Sequence, residues 1–118
     1  MIYRHAGTVP SGLFDAETVS GWAVFTVAGA IHSGYNVSSI TDNAAGDWTV
    51  NWTVPFASTG YAVVGCTRTA LIAGAGRILC IQDGTTIATT SARVAAATDT
   101  GALGDPTDGI YVLAIGRR

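Results

Sequence analysis

The chain has 118 residues, the size of one domain, with 48% hydrophobic residues, only 12% charged residues and a formal net charge of −2. All six basic residues are arginines, spread along the chain without a basic patch, so nucleic-acid binding is not expected. No apolar run approaches the roughly 18 residues of a membrane span, which argues against membrane insertion and leaves the apolar excess for the core or for contact with another copy, as in an obligate oligomer.

Residues 1–21 read as an N-terminal arm or extended entry segment, and residues 22–118 as a single β domain. The start, MIYRHAGTVPSG, lacks the apolar segment of a signal peptide. Trp22 to Val27 is apolar and β-prone, the first clear strand. After a turn at Gly29, Ala30 to Tyr35 resumes as a second, with Gly34 inside it marking a bulge or a close approach. The clearest hairpin follows. Val37, Ile40 and Thr41 lead into Asp42-Asn43-Ala44-Ala45-Gly46, and Asp47 to Thr53 leads out. The outgoing arm alternates strictly, with Trp48, Val50 and Trp52 on one face and Thr49, Asn51 and Thr53 on the other, the period of a half-buried strand. Asp42, Asn43, Gly46 and Asp47 supply the turn chemistry.

Pro55 ends the hairpin. Tyr61 to Thr69 is a strand whose Ala62-Val63-Val64 run suggests burial on both faces. Ala73-Gly74-Ala75-Gly76 is a turn, followed by a strand over Arg77 to Gln82 that Asp83-Gly84 closes. Thr85 to Thr90 is polar and β-branched. Ser91 to Thr98 permits helix through its alanines, but its length and flanking threonines favour strand. Thr100 to Gly109 is a loop, and Ile110 to Ile115 a final apolar strand. About seven to nine short strands, regular turn signals and no amphipathic helix predict an all-β fold, a small antiparallel sandwich or barrel.

No catalytic constellation stands out, no cofactor is implied, and the chain does not read as an enzyme. His5 and His32 lie in no recognisable motif and read as packing or solvent-exposed side chains. The acids Asp15, Glu17, Asp42, Asp47, Asp83, Asp99, Asp105 and Asp108 mostly flank glycine or proline, which turn chemistry explains. Asp99, Asp105 and Asp108 lack the alternate spacing of a calcium loop. Gly74-Ala75-Gly76 lacks the lysine and helix of a phosphate loop. Asn36-Val37-Ser38 and Asn51-Trp52-Thr53 match the glycosylation pattern but lack a secretion signal. Cys66 and Cys80 fall opposite each other if their strands pair about Ala73. Two buried thiols packing as small apolar groups is the first reading, and a disulfide the second. Trp22, Trp48, Trp52, Tyr35, Tyr61 and Tyr111 read as core or interface packing, with a sugar-stacking platform at Trp48 and Trp52 as the alternative.

The segment Tyr35-Asn36-Val37-Ser38-Ser39-Ile40-Thr41-Asp42-Asn43, then Gly46-Asp47-Trp48-Thr49-Val50-Asn51-Trp52, resembles a hairpin of the type NVSSITDNGTGDYTVNF. That hairpin recurs in the β-rich C-terminal domain of tailed-bacteriophage tail-fibre and related virion proteins. Trp22-Ala23-Val24-Phe25 stands for a preceding AWVNF strand, Thr59-Gly60-Tyr61-Ala62 for a later ANY step, and Tyr111 to Gly116 for a closing apolar strand. The usual NGTG turn is NAAG here. The resemblance implies a homotrimeric virion component assembled in the host cytoplasm, with other virion proteins and a host surface glycan or protein as partners. It carries over no catalytic residue. A short chain that is nearly all this domain fits a small fibre, a tail-tip or adaptor protein, or a capsid decoration. If the module binds a receptor, the expected contacts are the tips at Ala73, Gly74, Ala75 and Gly76 and at Thr100, Gly101, Asp105 and Asp108, because loops vary freely on a rigid scaffold.

Overall fold

A computed structural model describes residues 19–69, 76–81 and 87–118. Their strands are β1 (Val19–Phe25), β2 (Ile31–Tyr35), β3 (Val37–Ala44), β4 (Asp47–Trp52), β5 (Ala62–Thr67), β6 (Ile78–Ile81), β7 (Ser91–Ala97) and β8 (Ile110–Ile115). They form two four-stranded antiparallel sheets: sheet A in the order β2-β1-β8-β5 and sheet B in the order β3-β4-β7-β6. Among the described residues there is no helix, and the arrangement is a small β-sandwich. The ambiguous alanine-rich segment is strand β7, because its alternate small residues pack inward against the tryptophan-bearing face of β4.

The core lies between the sheets and follows the period-two patterns. From β4 come Trp48, Val50 and Trp52, from β1 Ala23 and Phe25, from β8 Ile110, Val112 and Ala114, and from β7 Ala92, Val94 and Ala96, all buried. Phe25 meets the Trp48 ring edge-on, with centroids 5.9 Å apart. Phe56 stacks on Tyr61 at 3.8 Å, and Trp52 packs edge-on against both. Each buried aromatic removes roughly 150–250 Å² from water, about 4–6 kcal/mol in transfer terms.

The sheets are joined at Asn36, between β2 and β3, where φ is +58°. Asparagine is among the few residues with a side chain that visit this left-handed region readily. Its amide fixes the corner: Nδ2 donates to Ser20 O (2.9 Å) and Val54 O (3.1 Å), and Oδ1 accepts from Val54 N (2.7 Å). The amide of this glycosylation-type asparagine is therefore spent inside the fold.

The strands tighten the predicted hairpin turn. β3 continues through Ala44, Asn43 is the extra residue of a bulge, and only Ala45 and Gly46 lie between the arms. Gly46 has φ +71°, and a Cβ there would sit 2.8 Å from both Ala96 O and Gly104 O, so backbone packing as well as the turn requires glycine.

Three expectations need correction. β1 begins at Val19 rather than Trp22, because Val19 and Gly21 already pair with β8. β5 is not buried on both faces. It is an edge strand of sheet A, with Val63 turned inward and Val64 54% exposed. Cys66 and Cys80 do not face each other, since β5 and β6 belong to different sheets: Cys66 lies opposite Tyr111 and Cys80 opposite Ala95. Both thiols are free and exposed in the protomer, so neither the bridge nor the buried-thiol reading holds. The turn carrying Ala73, Gly74 and Ala75, the acids Asp15, Glu17 and Asp83, His5 and most of the N-terminal arm lie outside the described residues.

Candidate functional site

The outer faces of the two sheets differ in kind. On sheet B, the rows Ser39–Asn51–Ser91 and Thr41–Thr49–Arg93 point away from the core. Asn51 Nδ2 donates to Ser39 Oγ and Thr41 Oγ1 (both 3.1 Å), and Asn43 Nδ2 to Thr49 Oγ1 (2.9 Å). Arg93 clamps the buried Asp47 through two bonds, Nε to Oδ1 (2.8 Å) and Nη2 to Oδ2 (2.6 Å). The Arg93 bond holds the Asp47 carboxyl below its ordinary range, against the opposing effect of burial. Across β3, β4 and β7 this is a hydrogen-bonded, solvent-compatible face, while its β6 edge carries Ile78, 62% exposed.

On sheet A, the outward rows are Tyr35–Trp22–Leu113–Val64 and Ser33–Val24–Tyr111–Cys66. Neither row contains a charged residue. A shallow groove of about 490 Å³ runs between β1 and β5, floored by Tyr111 and Leu113 and walled by Trp22, Val24, Val64 and Cys66. At its border, Arg118 donates to Tyr35 Oη (2.8 Å) and lies over that ring, 5.3 Å from its centroid.

The two ends of the sandwich also differ. At one end the chain enters at Val19, Asn36 turns the corner, and the carboxyl-terminal residues return. Ser20 Oγ donates to Gly116 O, and Ala57 N to Arg117 O (2.8 Å). At the other end the turns gather. Gly46 N donates to Asp105 Oδ1 (2.7 Å), Gly46 O accepts from Ala96 N (2.8 Å), and Trp48 Nε1 donates to Val27 O (2.9 Å). Asp108 pairs with Arg68 at 3.2 Å beside the backbone bond from Arg68 N to Gly109 O.

Of the predicted hairpin residues, Asp47 is hydrogen-bonded to Asn43 and Arg93, its neighbour Gly46 to Asp105, and Trp48 and Trp52 are core. Asp42 is exposed opposite Trp48. A sugar platform on Trp48 and Trp52 is excluded by burial, at 0% and 5% exposure. Of the predicted loop contacts, Gly76 borders a cavity of about 410 Å³ with Arg77, Ile78 and Asp99, and Thr100 and Gly101 are exposed in the turn that follows β7. Asp105 and Asp108 lie in the same loop system, but their carboxylates are engaged with Gly46 and Arg68. A second cavity of about 200 Å³ at this end brings His32, Arg68, Asp108 and Tyr111 together.

Sequence reasoning missed Asn36, Arg93 and the apolar outer face of sheet A. Arg93 had a visible signal, a lone charge in an alanine-rich strand. The sheet A face had none, because which of two alternating sets points outward depends on which sheet a strand joins. Among the described residues, no group of three or more His, Cys, Asp or Glu side chains gathers as a metal site, and no helix is long and apolar enough to cross a membrane. Comparison with protein-family models, curated proteins and solved structures finds no match to this chain.

Proposed function

We propose that the chain is a non-enzymatic bacteriophage virion structural protein, a homotrimeric tail-fibre- or tail-tip-like module that attaches to a host surface glycan or protein. The observation that carries this reading is the two-ended sandwich. β1 begins at Val19 at one end, while the turns after β1, β3 and β7 and the loop before β8 collect at the other. An anchored module needs such a layout, with attachment at its base and adaptable loops at its tip. The Tyr35–Trp52 hairpin supports the reading through its resemblance to virion fibre domains. Its polar residues hold turns and main chain, consistent with a structural signature. Trimer formation around an axis along the strands buries apolar sheet surface and protects sheet edges.

Two measurements test the proposal. Electron microscopy of labelled virions is expected to place the chain at the tail. A position on the head replaces attachment with capsid decoration, and absence from virions overturns both. Purified protein is expected to bind host cells and slow phage adsorption. Hydrolysis of host polysaccharide by the purified chain refutes the non-enzymatic part.

A further inference from the structure

We infer that the cavity at the loop end of sheet A is a binding site for the carboxylate of a small organic acid, with Arg68, His32 and Tyr111 as the donors that hold it. The inference stands on this geometry and does not depend on attachment of the chain to a host surface. The cavity, about 200 Å³, lies between β1, β2 and the residues that leave β5 and enter β8. Three features of the backbone build it. Arg68 N donates to Gly109 O (2.8 Å) and Asp108 N to Arg68 O (2.9 Å), which ties the exit of β5 to the entrance of β8. Gly109 lines the cavity without a side chain. A Cβ there would meet Tyr111 Cε1 at 3.8 Å and Phe25 O at 3.3 Å, so glycine keeps the space open. The third feature is a bulge. Ser33 pairs with Val24 and Ile31 with Phe25, so His32 is the extra residue on the edge strand β2. In regular alternation His32 would point away from the face that carries Ser33; the bulge re-aims it into the cavity.

The chemistry of the lining selects the ligand. Asp108 pairs with Arg68 Nε at 3.2 Å and so orients the guanidinium. Among the described residues, the terminal nitrogens of Arg68, the His32 ring and the Tyr111 hydroxyl have no protein hydrogen-bond partner. An arginine held on its Nε side still offers Nη1 and Nη2, a fork that matches the two oxygens of a carboxylate. His32 and Tyr111 can each donate one further hydrogen bond. Donors therefore outnumber acceptors, and the one carboxylate present is already committed to Arg68, so the ligand must bring acceptors. Because the charges of Arg68 and Asp108 offset each other, a singly charged head is matched better than a dianion such as phosphate. Val24 and the Tyr111 ring supply an apolar wall for the carbon body. At about 30 Å³ per water the cavity has room for roughly seven waters, the space of one small molecule.

Two-dimensional NMR of the isotopically labelled full chain provides the test, with benzoate and glucuronate as probes and with glucose and sodium chloride at matched concentration as controls. At least one of the two carboxylates should shift the signals of His32, Arg68, Gly109 and Tyr111 saturably, with a dissociation constant of about 1 mM or tighter. Glucose and sodium chloride should not. Binding of benzoate alone identifies an apolar acid and binding of glucuronate alone a hydroxylated one, such as an acidic sugar; either result supports the site. Arg68→Gln should weaken binding at least about tenfold. Arg68→Lys keeps the charge without the fork and should not restore it. The Arg68 side chain is 67% exposed, so the fold tolerates both changes. Arg118→Gln, at the opposite end of the sheet beside Tyr35, should bind as the wild type does. Absence of saturable shifts up to about 10 mM, shifts centred on other residues, or equal shifts with glucose or sodium chloride overturns the proposal. So does full affinity in Arg68→Gln or Arg68→Lys.

Discussion

Replacing Tyr61 with phenylalanine isolates one buried hydroxyl. Tyr61 Oη accepts the indole N–H of Trp52 at 3.0 Å, and its own proton lies between Ala88 O (2.8 Å) and Ser91 O (2.9 Å). One oxygen thus links the aromatic cluster to the chain entering β7. Phenylalanine keeps the ring, its stacking on Phe56 and its edge contact with Trp52. What is lost is the acceptor for a buried N–H, about 1–3 kcal/mol, and one bond to a carbonyl, about 0.5–1.5 kcal/mol. The expected destabilisation is about 2–4 kcal/mol. Urea unfolding followed by tryptophan fluorescence reads it directly, at one fixed protein concentration because association feeds into apparent stability. With a slope of roughly 1–3 kcal/mol/M, the midpoint should fall by about 0.7–4 M with the slope unchanged. A fall below about 0.3 M would refute the claim that this hydroxyl holds the cluster.

The same residue sets an alkaline limit. Burial raises the Tyr61 hydroxyl above its ordinary value of 10.0. A folded-state value above the unfolded one gives stability that is complete below about pH 10 and lost as pH rises through the folded value. The wild-type chain should therefore lose stability more steeply above pH 10 than Tyr61→Phe, which has no such proton to lose.

Gly46→Ala should cost at least about 2 kcal/mol in thermal or urea unfolding, because a left-handed alanine is strained and its methyl group would press on Ala96 O and Gly104 O. An unchanged midpoint would mean that the turn relaxes freely. Asp47 gives an acid limit of opposite sign. Its folded value is lowered, first by the Arg93 hydrogen bond, so its contribution is complete above the ordinary value of 3.8 and lost as pH falls below it. Arg93→Gln should flatten the acid loss of stability below the ordinary value of 3.8. An unaltered profile would show that the pair is not coupled to folding.

Several elements were legible because local chemistry alone specifies them. Trp48, Val50 and Trp52 alternate with polar residues, and no register that buries a sheet face places them outside. Asn43 and Gly46 mark a tight connection wherever they occur between two β-prone runs. The misreading of β5 has the opposite cause. A continuous apolar run is equally compatible with burial on both faces and with an edge strand that has one exposed face. Cys66 and Cys80 would face each other only if their neighbouring strands paired, and these two strands belong to different sheets.

By itself the sequence determined the class of fold, most strand positions, the hairpin and the inward face of β4, because periodicity and turn chemistry act over a few residues. Only the tertiary structure decided the rest. It turned Asn36 into the corner between sheets, joined Asp47 to Arg93 and Gly46 to Asp105 across long stretches of chain, and set Trp22, Val64, Leu113 and Tyr111 side by side on an uncharged surface. These contacts depend on which strands become neighbours. Sheet order is fixed by packing the whole core at once, so no local window of the sequence contains it.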